Sequence, residues 1–294
     1  MKYATTILAL LFFVACGTSD GGEGDLLLEV SGEEAAEVGF PVPGNDDLAF
    51  VDGWELAFDK YLVGIGNVRV GPGGVADGES VVVDLTAGEQ ELFRYQSLEA
   101  RRYEEFGYDI LVPTADSRLI GAVSETDRQR MIDGGFNYWI EGRAKKDGKM
   151  HRFAWGLRNP TRNHSCVNAQ DDTPGVVVRN NAEARYQITL HLDHLFYDKL
   201  GDHEGVALRF AAIAAVATER DGESWIEWDA LSNQSIVDLR DADGQPLRDP
   251  DGGRVDYEPL TVRLDSADLR GFLNAAAKSQ GRFHGEGACV NDDL

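Results

Sequence analysis

The chain has 294 residues with 51 acidic and 28 basic side chains, a formal charge of −23. That excess repels phosphate backbones and anionic headgroups, which excludes nucleic acid as a partner and a polybasic face as a membrane attachment, and leaves small cations as a favoured ligand class. Hydrophobic residues make up 43% of the chain and no low-complexity tract interrupts residues 26–294, so one large globular domain, with room for an insertion, is expected.

The first element is a short leader. Lys2 carries its only charge, an apolar run extends from Ile7 to Ala15, and Ala15-Cys16 forms a small-residue junction. The run is too short to span a bilayer, which takes about 20 apolar residues. Polar, flexible Gly17-Thr18-Ser19-Asp20-Gly21-Gly22-Glu23-Gly24-Asp25 follows at once. The segment resembles the lipobox of bacterial lipoproteins, with Val14-Ala15-Cys16 matching and Phe13 where Leu is commoner. The resemblance implies that residues 1–15 are a signal peptide and that Cys16 becomes the lipidated first residue. Residues 16–25 then form a tether that reaches at most about 30 Å from the membrane. Gly17 in place of Asp after the cysteine implies the outer membrane, at its periplasmic or surface face. An ordinary secretory signal is the alternative, and it too exports the chain.

The next two-thirds reads as antiparallel β. Trp54, Leu56 and Phe58 alternate with Glu55, Ala57 and Asp59, and the pattern continues through Val68 and Val70. Val81 to Leu85, then Phe106, Tyr108, Ile110 and Val112, and later Tyr186 to Leu192 supply further strands, with Gly71-Pro72-Gly73-Gly74 as a separating turn. Asp147-Gly148 suits a type I′ turn, whose central residues both need positive φ. That turn sets Tyr138 opposite Leu157, Ile140 opposite Trp155, Gly142 opposite Phe153 and Ala144 opposite His151, on one core-facing side. A mainly β fold, an antiparallel β-sandwich over residues 26–294, is expected.

Beyond Asp193 a small helical insertion with acidic loops, about 194–250, is expected, followed by a C-terminal helix. Val206, Phe210, Ile213, Ala214 and Ala217 share one helical face, with Asp202 as a cap. Ser266 caps the later helix, whose stripe is Leu269, Phe272, Leu273 and Ala276. Glu219-Arg220-Asp221-Gly222-Glu223 is a poor EF-hand likeness, because Ala217 and Trp228 stand where the first and last carboxylates belong. Asp241-Ala242-Asp243-Gly244 is a calcium candidate, though a solvated turn explains it more simply.

With Cys16 acylated, Cys166 and Cys289 remain as a pair in an oxidising compartment, and a disulfide between them is expected. It would bring His164 and His284, two and five residues away, toward each other. His191-Leu192-Asp193-His194 adds two imidazoles and a carboxylate at a strand end, with His191 and Asp193 on one face. His164, His191, Asp193, His194 and His284 are therefore the candidate ligands for zinc or copper, and calcium is a weaker expectation. The competing reading makes Asp193 the cap of a short helix through Leu195, Phe196 and Leu200, with His191 exposed. Two other functions stay open: a protein- or glycan-binding surface using Trp225 and Trp228, and a hydrolase combining Ser165 with His164, His191 and Asp193. The block from Trp54 to Val112, with Gly285-Glu286-Gly287-Ala288-Cys289, resembles uncharacterised bacterial lipoproteins with sandwich domains, which implies no activity.

Overall fold

The computed structural model describes residues 21–201 and 205–294. Cys16 and the first half of the tether, through Asp20, lie outside the described residues, as do Asp202 and His203. In chain order the elements are β1 (Glu23–Ser31), α1 (Glu33–Val38), β2 (Glu55–Gly71), β3 (Ser80–Asp84), β4 (Gln90–Glu99), β5 (Arg102–Tyr103) and β6 (Glu105–Ile110). Then come β7 (Arg118–Ile120), α2 (Glu125–Gly134), β8 (Tyr138–Lys146), β9 (Lys149–Leu157), β10 (Thr161–His164), β11 (Val167–Asn168), β12 (Thr173–Pro174) and β13 (Val176–Val177). The last are β14 (Glu183–Leu190), α3 (Ala211–Ala214), β15 (Thr218–Arg220), β16 (Glu223–Ile226), α4 (Leu269–Ala277), β17 (Gly281–Phe283) and β18 (Val290–Asp293).

The fold is mainly β. A four-stranded sheet runs β17-β14-β1-β4, and a ten-stranded one runs β15-β16-β9-β8-β2-β6-β10-β18 with β3 and β7 branching from β2. Most neighbours are antiparallel; β1–β14, β3–β7 and β16–β9 are parallel. The two large sheets share one core. Phe106 of β6 stacks on Phe283 of β17 with ring centroids 4.3 Å apart, and the Tyr108 hydroxyl donates to the Arg282 carbonyl at 3.1 Å. Tyr61 on β2 donates to Gln280 Oε1 at 2.7 Å, just before β17.

The β8–β9 hairpin has the register its turn dictates: Tyr138 opposes Leu157, Ile140 opposes Trp155, Gly142 opposes Phe153 and Ala144 opposes His151. Asp147 and Gly148 both have positive φ. A Cβ on Gly142 would lie 2.6 Å from the Phe153 ring and from the Ala57 carbonyl oxygen, so the crossing of β2 and β8 demands glycine there. Trp155, fully buried, donates its indole N–H to the Ile226 carbonyl at 2.8 Å and so ties β16 to the sheet.

Several expectations are corrected. β1 begins at Glu23, inside the stretch read as tether, because Glu23 to Ser31 form the central strand of the four-stranded sheet. The stretch 194–250 is not a helical insertion. Among the described residues its helical parts are the four-residue α3, the 3-10 turn Trp228–Asn233 and the end of the 3-10 turn Leu192–Phe196, and its β15–β16 hairpin extends the large sheet. Helical spacing misled at Val206–Ala217 because Leu208 sits in extended backbone, bridged to Phe50 and Tyr197, before the brief helix starts. At the last helix Asp268, not Ser266, is the cap: its Oδ1 accepts from the Gly271 N–H at 2.8 Å, while the Ser266 hydroxyl donates to the same oxygen. The apolar stripe of that helix is fully buried as expected. Val112 lies past the end of β6.

Two features escaped the sequence reading. Ser124 and Asp127 form a capping box for α2. An eight-residue unit repeats in tandem, Leu239-Arg240-Asp241-Ala242-Asp243-Gly244-Gln245-Pro246 and Leu247-Arg248-Asp249-Pro250-Asp251-Gly252-Gly253-Arg254. Each unit folds alike: the Arg guanidinium donates to the turn Gly carbonyl, at 2.9 Å for Arg240 and 2.8 Å for Arg248. Leu239, Leu247 and Val255 enter the core in succession, and the backbone N–H groups of Leu247 and Val255 each bond the carbonyl eight residues before.

Candidate metal centre

Cys166 and Cys289 form the expected disulfide. It does not gather the histidines. His164 lies at the end of β10, on the outer side of the large sheet, where Nε2 meets Asp292 Oδ2 at 3.0 Å and Nδ1 meets Ser165 Oγ at 3.0 Å. His284 follows β17, where positive φ turns its ring against Tyr186. Burial lowers its pKa, partly opposed by Asp171. Neither belongs to a cluster of potential ligands among the described residues. The bridge fixes their backbones, and the strands carrying them send the two rings elsewhere.

His191, Asp193 and His194 do converge. One ligand-type atom from each lies within 4.8 Å of the others, and all three residues are buried. β14 ends at Leu190, and the chain turns directly into a 3-10 helix, Leu192–Phe196, with His191 at its N-cap position. The competing sequence reading is therefore half right: there is a short helix, but Asp193 lies in its first turn and His191 is interior. The His191 N–H donates to the Gln280 carbonyl at 2.9 Å, which anchors the corner against the strand that follows α4.

The second layer comes from neighbouring strands. β1 and β14 run parallel with Ser31 beside Thr189, so the residues two places further on, Glu33 and His191, are brought together. Glu33 Oε2 stands 3.4 Å from His191 Nδ1. Glu286 approaches the same nitrogen at 3.9 Å, its turn held by the Thr189 hydroxyl donating to the Gly285 carbonyl at 2.7 Å. Glu33, His191 and Glu286 thus make a second potential ligand group sharing His191. Sequence spacing gave no sign of Glu33 or Glu286, because their proximity depends on a parallel pairing of strands more than 150 residues apart.

Each imidazole is oriented through Nδ1. His194 Nδ1 lies 2.9 Å from the Ser279 carbonyl oxygen, which can only accept, so this nitrogen carries the proton and Nε2 the lone pair. His191 Nδ1 faces the Glu33 carboxylate, and its Nε2 is buried with no hydrogen-bond partner. The Tyr197 hydroxyl donates to Asp193 Oδ2. Oxygen acceptors behind imidazoles and a donor behind a carboxylate are how metal ligands are commonly held.

The electrostatics favour metal-ready protonation states. Burial pushes the His194 pKa down to about 4 against the pull of Asp193, with Arg282 and His191 helping to lower it. The imidazole is therefore neutral at neutral pH, as a ligand must be. Burial raises the Glu33 carboxyl; His191 opposes this, while Asp193 and Glu286 add to it. Burial and Asp193 raise the Tyr197 phenol, which keeps it a donor.

The remaining candidates fit structural roles. Asp241 Oδ1 accepts from the N–H groups of Asp243 at 3.0 Å and Gln245 at 2.8 Å, closing its turn. Asp221-Gly222 is the positive-φ turn of the β15–β16 hairpin. Trp228 packs on Trp155, ring centroids 5.7 Å apart, and Arg220 covers Trp225, so both tryptophans are half-buried. Ser165 and His164 sit at an exposed edge, apart from the His191 and Asp193 with which a hydrolase would combine them. Comparison with protein families, curated proteins and solved structures finds no match for the chain.

Proposed function

We propose that this chain is a lipid-anchored protein of the cell envelope that binds a transition metal, zinc or copper, through His191, Asp193 and His194. The observation that carries the reading is the convergence of three buried ligand-type side chains, two of them imidazoles with Nδ1 turned toward an oxygen acceptor. Two imidazoles and a carboxylate suit zinc or copper, which bind such donors at about 2.0–2.2 Å. The ring centroids of His191 and His194 are 5.3 Å apart, so small side-chain rotations suffice to close on an ion. Glu33 and Glu286 lie on the partly exposed side of His191 and supply either a further ligand or a negative entry path.

The anchor rests on the lipobox resemblance at Cys16, and the disulfide suits an oxidising compartment. Outer-membrane attachment through the lipid is the corresponding reading. A protein or glycan partner without metal is the alternative for the same protein.

Titration of metal-stripped full-length protein with zinc, in competition with a chromogenic chelator, tests the site. One ion per chain is expected, with affinity lowered at least about tenfold in Asp193→Asn. Mass spectrometry of the mature protein tests the anchor: acyl mass on Cys16 is expected, and a free cysteine or a different N-terminus refutes it.

A further inference from the structure

Two carboxylates stand between the buried ligands and solvent. His191, Asp193 and His194 are 4%, 7% and 7% exposed, whereas the side chains of Glu33 and Glu286 are 37% and 80% exposed. Both acids face His191 Nδ1, at 3.4 and 3.9 Å, and that imidazole belongs to the buried ligand group and to the exposed one alike. Its Nε2 is buried without a partner, which sets this pair of acids apart from an ordinary solvated cluster.

Among the described residues His191 is the only ion-pair partner of either acid. The backbones that carry them are held firmly instead. Glu33 has a φ of 57°, uncommon for a residue with a side chain, and its N–H donates to Ser31 Oγ at 2.8 Å. Glu286 lies between Gly285 and Gly287 in a turn fixed by the Thr189 hydroxyl on the Gly285 carbonyl and by the Phe283 N–H, which donates to the Gly287 carbonyl at 2.8 Å. A carboxylate so placed can meet an ion from solution without any rearrangement of the fold. Glu33, Asp193 and Glu286 set three negative charges around two imidazoles, against the guanidinium of Arg282, which acts on His194. The excess draws cations to the mouth and raises their local concentration there.

We infer that Glu33 and Glu286 form a transit station through which a divalent ion enters and leaves the centre, so that the protein carries the ion as exchangeable cargo. The inference rests on the metal-binding reading of His191, Asp193 and His194. An ion held by three buried ligands leaves slowly if every bond must break before water replaces it. Carboxylates at the rim take over its coordination one bond at a time, and the same route serves entry. Carboxylates favour harder ions than zinc or copper, so these two hold the ion less firmly than the imidazoles and let it pass inward. A residue on the route lowers the barrier between the free and bound states, and its loss slows both directions together. A permanent ligand behaves otherwise, because its loss speeds release.

The test is stopped-flow exchange of zinc with the full-length protein. Uptake is followed by the colour lost from a weakly bound zinc indicator on mixing with metal-stripped protein, and release by mixing zinc-loaded protein with excess chromogenic chelator. In E286Q both rate constants should fall at least about fivefold, while their ratio moves less than about threefold. E286D keeps the carboxylate and should restore most of both rates. Glu286 is exposed, so the metal-free variants should melt with the wild type, which confirms that only the route has changed. Faster release in E286Q makes Glu286 a permanent ligand, and unchanged release makes it an attractor alone; either result overturns the inference and leaves the metal centre in place. Wild-type protein that takes up no zinc overturns the metal-binding reading, and the inference falls with it.

Discussion

Replacing both bridged cysteines, Cys166→Ala with Cys289→Ala, isolates the contribution of the disulfide. The bond joins residues 123 positions apart. On the chain-entropy model a loop of that size lowers the unfolded-state entropy by about 16 cal/mol/K, or about 5 kcal/mol at 25 °C. The native contacts do not depend on the bond. β10 and β18 remain paired from Thr161–Asp293 to His164–Val290, and the Val167 N–H still donates to the Ala288 carbonyl at 2.9 Å. The variant is therefore expected to fold, with the loss lying in a freer unfolded chain. Urea unfolding followed by tryptophan fluorescence reads the change. With a slope of about 3 kcal/mol/M for a domain of this size, the midpoint should fall by about 1.5–2 M, and the slope itself should rise as the unfolded state expands. A midpoint drop below about 0.5 M would refute the argument.

Three further outcomes follow from named contacts. His194 is held at about 4 in the folded protein against about 6.5 when unfolded, so the unfolded state takes up the proton first as pH falls. In metal-free protein that contribution is intact above about pH 6.5 and lost toward pH 4, by about 3 kcal/mol. Denaturation midpoints of wild type and His194→Gln between pH 7.5 and 4.5 should therefore converge; parallel profiles contradict the assignment. Gly142→Val places atoms 2.6 Å from Phe153 and the Ala57 carbonyl and should cost about 1–3 kcal/mol or more in thermal unfolding. Phe283→Ala removes the ring that stacks on Phe106 between the sheets and should cost about 3–5 kcal/mol; a loss under 1 kcal/mol would mean that the sheets do not depend on this contact.

Local chemistry decided which parts of the fold could be read in advance. The hairpin register was legible because Asp147-Gly148 dictates a turn and the turn dictates every pair beyond it. The helix Leu269–Ala277 was legible because four apolar residues repeat at its period. Pairing of the two cysteines followed from counting them. By contrast, the central strand Glu23–Ser31 begins in Gly/Asp-rich sequence that imitates a linker, and it is recruited by partners at Phe93 and Tyr186 that no local pattern announces. The capping box at Ser124 and the octapeptide repeat were readable and show that short signals are easily passed over. At the site, His191, Asp193 and His194 stood out through their adjacency. His164 and His284 were grouped with them through the disulfide, whose constraint on backbones does not extend to where neighbouring side chains point. Glu33 and Glu286 needed the parallel register and the Gly285 turn.

Metal analysis by plasma mass spectrometry of the full-length protein, isolated without chelators, tests the central reading most directly. The account predicts about one zinc or copper ion per chain, lost in His191→Ala and in His194→Ala but retained in His164→Ala and His284→Ala. Substoichiometric metal in the wild type, or retention in His191→Ala, would contradict it.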